Sequence, residues 1–379
     1  MLVLHNPTTL LHKTKEIIGS RLIDALECPE RIAAIVKAVS EDEKHDLCVV
    51  DGRGERVGRL LEVCLRGTHD AGYLDHLKTI FARQLESGLV EGDGCVLPEC
   101  FRMPRGATGS MGLTAPRDVF ARAGYYAFDM SSGISKHSYT SILASASLAI
   151  EGAIRITQGH PTITSLCRPP GHHCDTKTAG GYCYINNAVL AVQALTHLHN
   201  PPPHPNKPSS NPSSHSEHPK IAILDIDFHH GNGTQDFFYD SADVLYVSVH
   251  GEDEYPYYSG NARETGRGAG QGFNKNYPLP TRSSADEYLG TVRDAVREIK
   301  VFGPGYLVIS LGFDTFHLDP LGSFKLETGD YRRVAWSIRR EVDVPCLILL
   351  EGGYVVEDLG GNLVAFLDGW ENAERGDDA

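Results

Sequence analysis

Asp225, Asp227 and His229 stand at every second position of the segment Ile221-Ala-Ile-Leu-Asp-Ile-Asp-Phe-His-His-Gly-Asn-Gly-Thr234. Strand side chains alternate with period 2, so extended backbone sends all three to one side. A carboxylate at the end of a buried strand is costly unless it is paired or binds a cation. Asp and His together suit zinc or a similar divalent metal. The alternative is a strand end capped by hydrogen-bonded polar residues. Asp314 follows the apolar run Tyr306–Leu311 and Gly312, which makes it a third candidate ligand. Asp225, one pleat deeper, suits a supporting position that orients a histidine. The tandem pair His172-His173 follows a proline-stiffened turn, where two imidazoles beside a metal can act as general base and general acid. Tyr354 follows Glu351-Gly-Gly and can offer its hydroxyl to an oxyanion. A tyrosine packed under a turn is the plainer reading of Tyr354 taken alone.

These residues share one kind of position. Each follows a short apolar run: Ile163–Cys167, Ile221–Ile226, Val244–Val249, Tyr306–Leu311 and Cys346–Leu350. Such runs read as strands buried on both faces. Leu2–Leu4 adds a short first strand, and Asn6–Glu27 reads as loop. Helices are expected over Pro29–Val39, after a lead-in over Thr68–Leu74 to about Glu86, and over Ile142–Ile156, Asn186–Leu198, Ala285–Lys300, Gly329–Val342 and Leu359–Trp370. Alternating strands and helices imply a parallel sheet covered on both faces, whose ligand sites form at the carboxyl ends of the strands. Residues 88–116 are rich in Gly, Pro and charge and read as a long functional or interface loop. Residues 197–219 are a Pro/Ser-rich insertion read as disordered. One domain spans 1–370, and an acidic tail closes the chain at 371–379.

The bulk numbers narrow the function. With 35 basic against 49 acidic residues the formal charge is −14, which argues against nucleic acid as a partner. Nine cysteines with no Cys-x-x-Cys read as reduced thiols of a cytoplasmic or nuclear protein. The N-terminal residues carry no secretory signal pattern, and no run approaches the ~20 apolar residues of a membrane span.

In combination, Arg168-Pro-Pro-Gly-His-His173, Gly180-Gly-Tyr-Cys-Tyr-Ile-Asn-Asn187, Asp225-Ile-Asp-Phe-His-His-Gly-Asn-Gly-Thr-Gln235, Ser310-Leu-Gly-Phe-Asp314 and Glu351-Gly-Gly-Tyr354 resemble the zinc-dependent histone deacetylase superfamily. Tyr255-Pro256, Glu264-Thr-Gly-Arg-Gly-Ala-Gly270, Asn276-Tyr-Pro278 and Phe324-Lys-Leu326 resemble its acetylpolyamine amidohydrolase branch. The resemblance covers the chain from about Asn6 to Trp370, apart from the Pro/Ser-rich segment. It implies a three-layer α/β arginase-deacetylase fold with a central eight-stranded parallel sheet and helices on both faces. It implies one zinc ion per chain on Asp227, His229 and Asp314. His173 becomes the general base, supported by Asn232. His172, paired with Asp225, becomes an electrostatic partner to which the acid's role is also open. Tyr354 becomes the oxyanion donor. Gly181, Tyr182, Tyr255 and Leu321 would line a substrate tunnel, with Arg31 near an acetate pocket below the metal. A structural potassium ion would use Asp225 and Ser248. The 88–116 segment would narrow the entrance and build a homodimer.

The activity implied is removal of acetyl groups from amines, with a small cationic acyl-amine such as an acetylpolyamine as substrate. The polyamine branch carries a glutamate at the mouth where this chain has Ser131, and a serine can instead bind a peptide amide. Protein acetyl-lysine is therefore the alternative substrate, and Asp129 is the nearby carboxylate able to replace the charge. A binuclear ureohydrolase would need more carboxylates than Asn232 allows. A non-catalytic acyl-amine binding protein is the remaining class.

Overall fold

The computed structural model describes residues 1–102, 114–199 and 219–378. Its strands are β1 (Leu2–His5), β2 (Lys15–Ile18), β3 (Arg21–Asp24), β4 (Asp46–Val49), β5 (Thr162–Ser165), β6 (Ile221–Asp225), β7 (Val244–Gly251), β8 (Asn274–Leu279), β9 (Tyr306–Leu311) and β10 (Cys346–Leu350). Its α-helices are α1 (Pro29–Glu41), α2 (Glu55–Thr68), α3 (Ala71–Glu86), α4 (Val119–Tyr125), α5 (Ser138–Thr157), α6 (Asn187–His199), α7 (Asn232–Phe238), α8 (Ala285–Phe302), α9 (Thr328–Glu341) and α10 (Val356–Arg375).

Eight strands form one parallel sheet in the order β4-β1-β5-β10-β9-β6-β7-β8. The central strands β5, β6, β7 and β10 are buried at every residue. This is why β6, β7 and β10 read as mostly apolar runs instead of alternating ones. The α2, α3, α5 and α6 side chains pack on one face of the sheet, and those of α1, α8, α9 and α10 on the other. Helix α8 shows how the chain marks its boundaries. Ser284 and Glu287 close a capping box at its start, and Gly303 in the left-handed region ends it.

Three sequence expectations need correction. The Asn6–Glu27 stretch is not simple loop, because β2 and β3 pair antiparallel there as a hairpin with the turn at Gly19-Ser20. Helix α2 and the edge strands β4 and β8 were also not expected; these edge strands are short or half-exposed and carry weak patterns. The acidic tail does not begin at 371, since Glu371–Arg375 continue α10 and Arg375 bonds back to Glu371. The Pro/Ser-rich insertion lies almost wholly outside the described residues, as does the middle of the 88–116 segment. The described flank of that segment pairs Val96 with Ile134. No helix among the described residues is long and apolar enough to cross a membrane.

Beneath the carboxyl end of the sheet lies a buried ionic cluster. Glu27 accepts from Arg31 at 2.8 Å and lies 2.7 Å from Arg168, and all three side chains are buried. Arg168 also donates to the carbonyls of Thr9 and His12, which locks the base of the Arg168–His173 loop. Burial alone would raise the Glu27 carboxyl, but the two guanidiniums outweigh it and hold it below the usual range.

Candidate metal and catalytic site

The strand that carries the first ligands stops at Asp225, and the chain then folds over itself. Asp225 Oδ1 accepts from the Asp227 amide at 3.3 Å, and Asp227 Oδ1 accepts from the His229 amide at 2.9 Å. Each carboxylate thus caps the residue two further on. The turn after β9 brings Asp314 alongside, where its Oδ1 accepts from the Phe228 amide at 2.8 Å.

Asp227, His229 and Asp314 are buried, and one ligand atom of each lies within 4.8 Å of the others. His229 Nδ1 lies 2.9 Å from Asp314 Oδ2 and 3.4 Å from Asp227 Oδ1. Among the described residues no lysine or arginine pairs with either carboxylate. Burial and the Asp227 charge push the Asp314 carboxyl up to about 7. Burial works against an imidazolium at His229, yet Asp227 and Asp314 push it up to about 10. Two buried carboxylates and a histidine, with no lysine or arginine paired to them, make a donor set for a divalent metal. A second acidic cluster, at Asp42, His45 and Asp368, differs on this point: Lys44 and Arg332 already bridge Asp368. Space is also kept for the metal set. A Cβ on Gly352 would collide with Asp314 Oδ2 and stand 2.7 Å from Asp227 Oδ2.

The Arg168–His173 loop delivers both histidines. Glu351 Oε2 accepts from the Gly171 amide at 2.7 Å and fixes the loop from below. His172 is buried with Nδ1 3.2 Å from Asp225 Oδ2, and Tyr246 donates to the same oxygen at 2.9 Å. Burial disfavours its cation, but the Asp227 and Asp225 charges push His172 up to about 10. His173 is pushed the other way, well below the ordinary value, by burial and by His172 and His229. His173 Nδ1 lies 2.8 Å from Asn232 Oδ1, while Asn232 Nδ2 donates to the His173 carbonyl at 3.3 Å. That orientation makes Oδ1 the acceptor, so His173 carries its proton on Nδ1 and Nε2 keeps a bare lone pair.

His173, His229 and Tyr354 open onto a cavity of about 390 Å³. The residues expected to line a tunnel, Gly181, Tyr182, Tyr255, Leu321 and Ser131, all line it. Tyr255 sets its ring edge-on to His173 at 4.9 Å between centroids. The Tyr354 ring sits 5.5 Å from that of Tyr182, and burial keeps its phenol proton on. Arg31 does not line the cavity. It donates to the carbonyls of Gly353 and Glu351, both at 2.6 Å, and lies 5.0 Å from the Tyr354 ring centroid, so it braces the segment that carries Tyr354. Ser248 faces Asp225 across β6 and β7, and its hydroxyl meets His250 Nδ1 at 2.8 Å.

Sequence reasoning missed Glu16, Glu254 and Tyr257, which also line the cavity. Glu16 was legible in principle, because Lys15-Glu-Ile-Ile-Gly-Ser-Arg-Leu-Ile23 has the Gly-Ser turn of a hairpin. Glu351 was read only as part of a motif, and its carboxylate's hold on the histidine loop had no sequence signal.

A model of the histone deacetylase domain matches residues 25–369. The chain is 35% identical over 381 residues to acetylpolyamine amidohydrolase 2 of Pseudomonas aeruginosa, covering 99% of this chain and all of that one. It is 37% identical to the acetylpolyamine amidohydrolase of Mycoplana ramosa, covering 93% of this chain and 94% of that one. The crystal structure of acetylpolyamine aminohydrolase from Burkholderia pseudomallei superposes with a TM-score of 0.83 at 32% identity, covering 98% of this chain and 99% of that one.

Proposed function

The chain belongs to the histone deacetylase family and is a hydrolytic deacetylase of amines, and we propose that its substrates are acetylpolyamines or similar small acyl-amines. The observation that carries this reading is one narrow cavity with His173, Tyr354 and the ligand His229 at its wall, and with three carboxylates, Glu16, Asp129 and Glu254, lining it too. Those carboxylates offer the negative charge that Ser131 does not. Asp227, His229 and Asp314 would hold one zinc ion. When bound, zinc there supplies a Lewis acid for the amide carbonyl and acidity for the attacking water.

The chain's own residues divide the remaining work. Nε2 of His173 accepts the proton of the water, since Asn232 holds the other ring nitrogen. His173, and not His172, lines the cavity. It is therefore the group that can return the proton to the departing amine. His172, tied to Asp225, keeps positive charge beneath the reacting centre. The Tyr354 hydroxyl donates to the oxyanion. A structural potassium ion at Asp225 and Ser248 belongs to the same reading. Asp225 Oδ1 fits it, because among the described residues its hydrogen bond is the long 3.3 Å one from the Asp227 amide. A homodimer and a cytoplasmic setting complete it; all nine cysteines are free thiols, as a reducing compartment requires.

Protein acetyl-lysine is the second reading, favoured by Ser131 at the cavity wall. Parallel assays on N-acetylputrescine, N8-acetylspermidine and an acetyl-lysine peptide separate the two. The small cationic amides are expected to lead in kcat/KM. Dominant turnover of the peptide would reverse the order.

A further inference from the structure

Asp129 occupies a crossing point of the cavity wall. Its Oδ2 accepts from the Tyr255 hydroxyl at 2.8 Å, from the Gly181 amide at 2.9 Å and from the Ser131 hydroxyl at 2.7 Å. Its Oδ1 accepts from the Ser131 amide at 3.1 Å. The carboxylate therefore joins three loops that come from distant parts of the chain. We propose that Asp129 is the positioning residue that sets the bore of the cavity, by tying the wall that carries Gly181 to the wall that carries Tyr255.

The two tied groups stand directly against the reacting centre. Tyr255 packs edge-on to His173, and its ring centroid lies 5.8 Å from that of His229. Gly181 has φ +55°, and a Cβ there would collide with the His173 ring and come within 2.9 Å of the Tyr255 hydroxyl. Both walls thus meet His173 with no slack. A phenylalanine at 255 would supply the same apolar surface. The partly buried phenol hydroxyl has Asp129 as its acceptor. The opposite wall is anchored in the same way, with the Tyr182 hydroxyl donating to Glu16 Oε2 at 2.8 Å. Aromatic walls held at their hydroxyl ends cannot splay, so the bore admits a slim unbranched amine arm and rejects a branched one.

This inference rests on the deacetylase reading above, and the test separates the two. The variants are Asp129→Ala, Asp129→Asn, Tyr255→Phe and the double variant Asp129→Ala/Tyr255→Phe. The substrates are N-acetylputrescine and its analogue with a methyl branch on the diamine chain. Asp129→Ala and Tyr255→Phe are each expected to lower kcat/KM for the linear substrate about 10-fold or more and to erode the preference for it over the branched one. Asp129→Asn keeps an acceptor and recovers the linear-over-branched preference, while the lost charge still lowers kcat/KM for the cationic substrate. The double variant is no worse than the poorer single one, because both changes cut one tie. Zinc content and Tm stay near wild type. Additive losses, or an unchanged linear-to-branched preference, overturn the proposal. If Asp129→Ala does not fold, Tyr255→Phe and Asp129→Asn decide the matter through the same preference. If the wild type hydrolyses no acetyl amine, the function falls alone. The bore is then read from Kd values of linear and branched alkyl hydroxamates: eroded preference in Tyr255→Phe supports it, and unchanged preference sinks it.

Discussion

At the scale of single residues, the site separates two histidines that are neighbours in sequence. His172 leans on the Asp225 carboxylate, and His173 leans on the neutral Asn232 amide. A carboxylate stabilises an imidazolium, whereas an amide fixes a tautomer without stabilising the charge. That difference favours His173 over His172 for the proposed role of base. Tyr354 adds a donor whose proton is retained by burial. Replacing it by phenylalanine removes one oxyanion partner and should lower kcat by about 10²–10³, with zinc content unchanged. Steady-state kinetics beside metal analysis checks this, and near-wild-type turnover would remove Tyr354 from the mechanism.

At the scale of elements, the site is a set of loops pinned from below. Arg168 at the root of the histidine loop and Arg31 under the Tyr354 segment share one buried carboxylate, Glu27. Glu27→Gln would leave two buried guanidiniums short of an anion. It should cost about 3–5 kcal/mol in a denaturant titration; a cost under ~1 kcal/mol would mean the cluster is not held by charge. This layer also marks how far the sequence could be read. The buried strands β6, β9 and β10 were visible as apolar runs, and the residues following them pointed to the site, because a parallel sheet presents its loops at one end. Asp227, His229 and Asp314 were legible for that reason. The contacts of Glu16, Glu27 and Asp129 were not, because partners such as Tyr182, Arg168 and Tyr255 lie far along the chain and leave no periodicity. Leu26 and Tyr182 bond Glu16, and Gly181 and Tyr255 bond Asp129. Arg31, expected near an acetate pocket by resemblance, gives its donors to the Glu27 carboxylate and to the carbonyls of Glu351 and Gly353, contacts that no sequence pattern signals. The hairpin of β2 and β3 carries a weak sequence signal, because the apolar Ile18 and Leu22 are exposed on it and blur its alternation.

At the scale of the whole molecule, folding and metal binding are coupled. Assembling the sheet forces Asp227 and Asp314 together with no lysine or arginine paired to them among the described residues, and a bound dication relieves that repulsion. Stripping the metal with a chelator should therefore lower Tm by several degrees, and added zinc should restore it. A metal held at a thousandfold excess over its Kd contributes about 4 kcal/mol. An unchanged Tm would place the metal elsewhere. The connection from α6 to β6 has a separate consequence. It leaves α6 at His199 and enters β6 at Ile221, the amino end of the strand, while the ligands follow its carboxyl end at Asp225. Five residues of strand, ~17 Å, separate that entry from the chemistry. Lys220, exposed just before that entry, is thus an attachment point on the side away from the chemistry, where a surface tether would leave the cavity mouth open to solution.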